Sequence, residues 1–172
     1  VIVKSELAKS FMKEMVLVLA QNESIDELQY VGKIMMNRFP SESDYVNYYI
    51  GNYYYKKEKF DKSLNYFGRI QSSGNVFRNE IVYKMGIINE LAMKNSKMAA
   101  YYFAMLLDVK EYDEYVAAAR IELSIIYFER GMKDQSKKIL DDIMHRKENI
   151  AAIIRAGNLY SQFGFDKAEA KK

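Results

Sequence analysis

The sequence predicts an all-α chain, in which short antiparallel helical hairpins repeat along the length as an α-solenoid. Three observations predict it. Apolar residues recur at spacings of three and four rather than two, the period of a helix face and not of a strand. Pro40 is the only proline in 172 residues, so little interrupts helical hydrogen bonding. Side chains of modest bulk recur within the apolar pattern at Val16, Gly51, Gly86, Ser124 and Gly157, at intervals of 35, 35, 38 and 33 residues. Self-similarity at such a period marks a repeat protein.

Turn-forming residues cut the pattern into helices of about 12–18 residues. In order along the chain, "NES" at 22–24 and "PSES" at 40–43 bound the first pair. "KKEK" at 56–59 and "SSGN" at 72–75 bound the second, and "KNS" at 94–96 divides the third. "RGMKD" at 130–134 divides the fourth, and "FGFD" at 163–166 follows the first helix of the last. In 132–147, Met132, Ser136, Ile139, Leu140 and Ile143 share one face, and Lys133, Lys137, Asp141 and Asp142 fall largely on the other. The repeats are placed at 5–40, 43–74, 76–110, 112–148 and a truncated 149–172, about 4.5 units in one domain spanning 1–172. The chain begins at Val1 rather than Met and stops within its last unit, and is read as a piece of a longer protein. Gly51, Gly86 and Gly157 fall mid-helix, where glycine costs about 1 kcal/mol against alanine. Close approach of the paired helix is the expected compensation. Ile50, Tyr54, Phe67 and Tyr127 are expected in the core.

The second unit carries Ile50-Gly51, then Tyr54, then Ser63 and Phe67. It resembles the tetratricopeptide repeat, a helix–turn–helix unit of about 34 residues. The fourth unit repeats the pattern with Leu123-Ser124, Tyr127, Gly131, Ser136 and Leu140. The fifth has Ala156-Gly157, Tyr160, Gly164 and Ala168. The third has Met85-Gly86, with Asn89 for the tyrosine and one extra residue before Ala99 and Phe103. The first is the most divergent, with Met15-Val16, Leu19, Leu28 and Gly32. The resemblance spans nearly the whole chain and implies a right-handed superhelix with a concave, partner-docking groove.

In that family the groove is lined by one stripe of each first helix. Here the stripe in the second unit is Tyr45, Tyr48, Asn52 and Tyr55. It continues through Tyr83, Ile87 and Leu91 in the third unit, and Ile121, Ile125 and Phe128 in the fourth. It ends on the polar Asn158 in the fifth. An apolar, aromatic groove implies a protein or peptide partner, an amphipathic helix or extended segment. Some family members clamp a chaperone's C-terminal carboxylate. Lys13 and Asn52 match that pattern, but Leu17 and Glu80 break it, so chaperone-tail binding is not implied. The alternative is a structural subunit that self-associates through apolar repeat faces.

The chemistry-bearing residues are few. With no cysteine, disulfides, thiolate nucleophiles and zinc–cysteine sites are excluded. His145 is the single histidine, placed at a helix end beside Arg146 and Lys147. It reads as a surface residue rather than a base. Asp141-Asp142 and Asp113-Glu114 are sequence neighbours that point apart, and read as solvated. "GRIQSSG" at 68–74 lacks the lysine of a phosphate loop. No catalytic residue, metal site or cofactor is expected, and the chain is read as non-enzymatic. The net charge of +3 is too small for a nucleic-acid footprint. The longest apolar run, "MVLVLA" at 15–20, falls far short of the roughly 20 residues of a membrane span.

Overall fold

The computed structural model describes residues 2–70, 77–146 and 148–166. Among them there are nine α-helices and no strand. They are α1 (Ile2–Gln21), α2 (Ile25–Arg38), α3 (Ser43–Lys56), α4 (Phe60–Phe67), α5 (Arg78–Ile87), α6 (Ser96–Ala104), α7 (Glu114–Glu129), α8 (Lys133–His145) and α9 (Ile150–Gln162). Pro40 opens a 3-10 turn, Pro40–Glu42, where its missing N–H is not needed. A π-helical turn, Ile88–Ala92, continues α5. The described helix boundaries fall at the expected turns, but α4, α5 and α6, at 8, 10 and 9 residues, are shorter than the 12–18 expected, and α1, at 20, is longer. The turn at 72–75, Lys147 and Ala168 lie outside the described residues.

Contacts group the chain into two units, Val1–Arg78 and Asn79–Lys172. In the first, α1 packs on α2 and α3, α2 on α3, and α3 on α4. Its core is Val16, Leu28, Val31, Met35, Val46, Ile50 and Tyr54. Lys13 pairs with Glu42 at 2.6 Å, tying α1 to the turn before α3. In the second, α6 packs on the π turn and on α7, α7 on α8, and α9 on both α7 and α8. Its core includes Phe103, Leu106, Val116, Leu123, Leu140 and Ile143, all fully buried. Asn95, Asp113 and Asn149 cap α6, α7 and α9 by accepting from Met98, Val116 and Ala152 N–H. Asp113, read from sequence as a solvated acid, is therefore a cap, and it also accepts from Asn79 Nδ2 at 2.8 Å.

Two of the three mid-helix glycines sit where a paired helix comes close. A Cβ on Gly51 would lie 2.6 Å from two atoms of the Phe67 ring, and one on Gly86 would lie 2.3 Å from Phe103. The rings fill the space the missing side chains leave, and each is at most 2% exposed. Ser63 Oγ, also buried, donates to Gly51 O at 3.0 Å and fixes the same crossing. Gly157 is different. A Cβ there would meet nothing within 4 Å, so the close approach expected at this position is overturned. The glycine lies half-buried on α9 with no ring against it. Gly32 is a close-approach position too, since a Cβ there would lie 2.6 Å from Val46 Cγ1, where α2 meets α3.

A local feature recurs in all five predicted repeats. Glu23, Glu58, Lys94, Gly131 and Gly164 have positive φ, between 52° and 76°, and each follows the first helix of its hairpin. A left-handed residue there stops the helix and lets the next N–H reach back. Ser24 N–H donates to Leu19 O at 3.0 Å, Lys59 to Tyr54 at 2.9 Å and Met132 to Tyr127 at 2.8 Å. In the third hairpin Asn95 reaches Asn89 at 2.8 Å, spanning six residues instead of five. That is the extra residue the spacing required. The π turn absorbs it, with Asn89 Nδ2 donating to Met85 O at 2.8 Å.

Candidate partner-binding surface

In the first unit, the predicted stripe lies on α3. Tyr45, Tyr48 and Tyr55 are half-buried and Asn52 is buried. Tyr45 OH donates to Lys13 O at 3.3 Å, and Lys13 Nζ sits 5.0 Å above the same ring. Burial, with Tyr49 beside it, pushes the Tyr45 phenol well above the usual tyrosine range. Tyr48 stacks face to face on Phe77, ring centroids 3.7 Å apart. Tyr45 and Tyr49 flank the same phenylalanine edge-on or tilted. Tyr55 meets Phe60 across the turn at 6.1 Å, and burial raises its phenol.

In the second unit, Tyr83 and Ile87 lie half-buried on α5, and Leu91, in the π turn, is 63% exposed. Tyr83 touches Phe103 and Tyr115, both with centroids 5.9 Å away. On α7, Ile121 is 1% exposed and belongs to the core, whereas Ile125 and Phe128 are half-buried. Phe128 stacks on Phe163 at 3.8 Å, with Phe165 edge-on to it. Asn158, on α9, is exposed. One aromatic face in each unit is thus covered by a phenylalanine of the same unit, Tyr48 by Phe77 and Phe128 by Phe163.

Neither covering ring was singled out from the sequence. Phe77 lies just past "SSGN", and nothing local ties it to α3. Phe163 and Phe165 were legible in principle. A turn that carries two phenylalanines around a left-handed glycine is packing across a helix stop, and Phe165 does meet Tyr160 at 5.3 Å.

A buried polar cluster was also missed. Arg120, 6% exposed on α7, donates to Asp142 and to Leu107 O. Tyr112 lies between two guanidiniums, Arg120 at 5.4 Å and Arg146 at 4.5 Å. Asp142 also accepts from Arg146 Nε at 3.1 Å, so it is a paired acid rather than a solvated one. The arrangement ties α7, α8 and the α6–α7 connection together. His145 is exposed at the end of α8, its Nδ1 2.6 Å from Asp141 O. Among the described residues, no group of three or more His, Asp or Glu is placed to hold a metal ion. No described helix is long and apolar enough to cross a membrane.

Comparison with protein-family models, with curated proteins and with solved structures returned no match to this chain.

Proposed function

We propose that the chain is a non-catalytic scaffold of tetratricopeptide-like hairpins, stacked as a right-handed solenoid over 1–172. It docks an amphipathic helix or extended segment of a partner protein along the first-helix stripe. One observation carries the reading: the same left-handed stop closes the first helix of all five hairpins. Repeated hairpins with fixed stops support an array, and arrays offer long surfaces rather than enclosed sites. Tyr55, Tyr83, Ile87 and Ile125 retain partial exposure, and Leu91 is largely exposed, which supports a surface available to a partner. The test is affinity capture from a lysate with quantitative mass spectrometry, comparing the native chain with Tyr55→Glu and Ile125→Glu. The reading expects a defined set of proteins to be lost from both variants while helicity is unchanged. Identical capture by all three chains refutes it.

A second reading is supported by a separate observation. Leu7 and Phe11, one turn apart on α1, are 71% and 64% exposed, and Ile150 and Ile154 on α9 are 72% and 60% exposed. Apolar pairs on α1 and α9 fit a structural subunit that self-associates through apolar repeat faces. Sedimentation over a concentration series distinguishes it: association abolished by Phe11→Ser and Ile154→Ser supports this reading, and a monomer at all concentrations removes it.

A further inference from the structure

A recess of about 350 Å³ opens in the first unit, away from the α3 stripe, where α2, α3 and α4 meet. Its floor is built around Gln29. The Gln29 amide Nε2 donates to Tyr54 OH and to Tyr66 OH, both at 3.1 Å. One amide group thus donates one hydrogen bond to each phenol oxygen. Each hydroxyl keeps its own proton, and no described acceptor receives either of them. The two rings lie stacked at 5.6 Å, which holds the hydroxyls together.

The rim is cationic. Lys62 Nζ lies 5.2 Å from the Tyr54 ring and the Arg69 guanidinium 4.9 Å from Tyr66. Among the described residues neither pairs with a carboxylate. Asn65, between them on the exposed face of α4, adds an amide. Two acids are near: Asp61 lines the wall in the first turn of α4, where a carboxylate favours the helix N-terminus, and Asp26 on α2 acts on the Tyr54 phenol from outside the lining. Two O–H groups, an ammonium, a guanidinium and an amide N–H therefore converge on one space. Such a donor set calls for an acceptor that carries negative charge.

We propose that this recess binds a side-chain oxyanion, carboxylate or phosphate, of an acidic peptide segment. A nucleic-acid phosphate is the less suited source. The faces of Tyr54 and Tyr66 are taken by each other, by Lys62 and by Arg69, which leaves no platform for a base. The net charge of +3 supplies no extended track for a phosphate backbone. The recess stands independently of the docking stripe.

The test is fluorescence anisotropy on the full chain with four labelled probes: a glutamate-rich peptide, a phosphoserine peptide, a neutral glutamine peptide and a single-stranded oligonucleotide. At least one anionic peptide should bind about tenfold tighter than the neutral one, and binding should weaken as salt rises. Whichever binds tighter names the oxyanion. Lys62→Gln with Arg69→Gln should abolish the preference. Both side chains are exposed, so unchanged circular dichroism will verify the fold. Tyr66→Phe, which keeps the ring and removes one O–H, should weaken binding about threefold or more. Ile125→Glu, in the second unit, should leave it unchanged, which separates this site from the docking stripe. Equal affinity for the anionic and neutral peptides overturns the proposal. So does indifference to Arg69→Gln and Tyr66→Phe, or tighter binding of the oligonucleotide than of either peptide.

Discussion

Replacing Gly51 with alanine should destabilise the first unit, and replacing Gly157 with alanine should stabilise the second. Helix propensity favours both changes by about 1 kcal/mol. At Gly157 nothing opposes the gain, because the new methyl group meets no atom within 4 Å. At Gly51 the methyl would lie 2.6 Å from two carbons of Phe67, about 1 Å inside ordinary contact. The ring has nowhere to go, being 2% exposed and pressed against α3. Overpacking of this kind costs typically about 1–3 kcal/mol, occasionally more. The buried ring puts Gly51 in the upper part of that range, about 2–3 kcal/mol, so the net expectation is a loss of about 1–2 kcal/mol there against a gain of about 0.5–1 kcal/mol at Gly157. Thermal and urea melts followed by far-ultraviolet circular dichroism measure both. The midpoints should move in opposite directions, by about 2–4 °C per kcal/mol. Phe67→Leu in the Gly51→Ala background should recover part of the loss, because the smaller branched chain vacates the clash. If Gly51→Ala stabilises as much as Gly157→Ala, the claim that glycine there serves helix contact is wrong.

Glu58 holds a left-handed conformation, φ 55°, in an exposed turn, so Glu58→Gly should raise stability by about 0.5–1 kcal/mol in the same melts, whereas Glu58→Ala should not. Asp142→Ala strands the buried Arg120 guanidinium. The acid is nearly half-exposed, which tempers the loss to about 1–2 kcal/mol, and raised salt should change it little. Burial raises the phenols of Tyr45, Tyr54, Tyr55, Tyr102, Tyr112 and Tyr115 above their ordinary value of 10.0. A group whose folded pKa lies above its unfolded one contributes fully below the unfolded value and loses that contribution as pH rises through the folded one. Stability should therefore decline above about pH 10 on their account. With no tryptophan in the chain, tyrosinate absorbance should report a fraction of phenols titrating late and together with loss of helix.

Much of the fold was legible because helix stops and close-packed small residues are local. Gly51 and Gly86 announced themselves by spacing, since a helix crossing selects glycine at a fixed place in each hairpin, and Gly131 and Gly164 entered through the repeat resemblance. Glu23, Glu58 and Lys94 adopt the same left-handed turn without glycine, so composition alone hid them, and only alignment of the repeats could place them. Gly157 shows the limit of that argument: it keeps the register of Gly51 but not its contact. The surface was harder to read. Ile121 and Ile125 share a helical stripe, yet one is core and the other half-exposed, because α9 packs on both α7 and α8 and burial spreads around α7. The stacks of Phe77 on Tyr48 and Phe163 on Phe128 depend on where a connection returns, which periodicity does not encode. The recess on Gln29 joins residues 25 and 37 positions apart by two hydrogen bonds, and no spacing rule points to it.

The π turn offers the sharpest separation of repeat register from mere helicity. In the second hairpin the left-handed residue follows Tyr54 by four positions, and in the third Lys94 follows Asn89 by five. Beyond that point the hairpins agree again, since Ser63 follows Glu58 by five and Ala99 follows Lys94 by five. The surplus is therefore one residue between Asn89 and Lys94, where Leu91, Ala92 and Met93 are all exposed. A π turn widens the helix by one residue and leaves the flanking contacts in phase. Deleting Ala92 should then convert Ile88–Ala92 to an ordinary α-helical turn and keep Gly86 against Phe103. Stability should change by no more than about 1 kcal/mol, because no buried group is displaced. Deleting Ile125 from α7 should instead rotate every following residue of that helix by about 100° and bury polar side chains, unfolding the second unit. Circular dichroism and amide hydrogen exchange read both outcomes. Loss of protection across the second unit on deletion of Ala92, as severe as on deletion of Ile125, would mean that the π turn is required for packing and does not simply absorb an insertion.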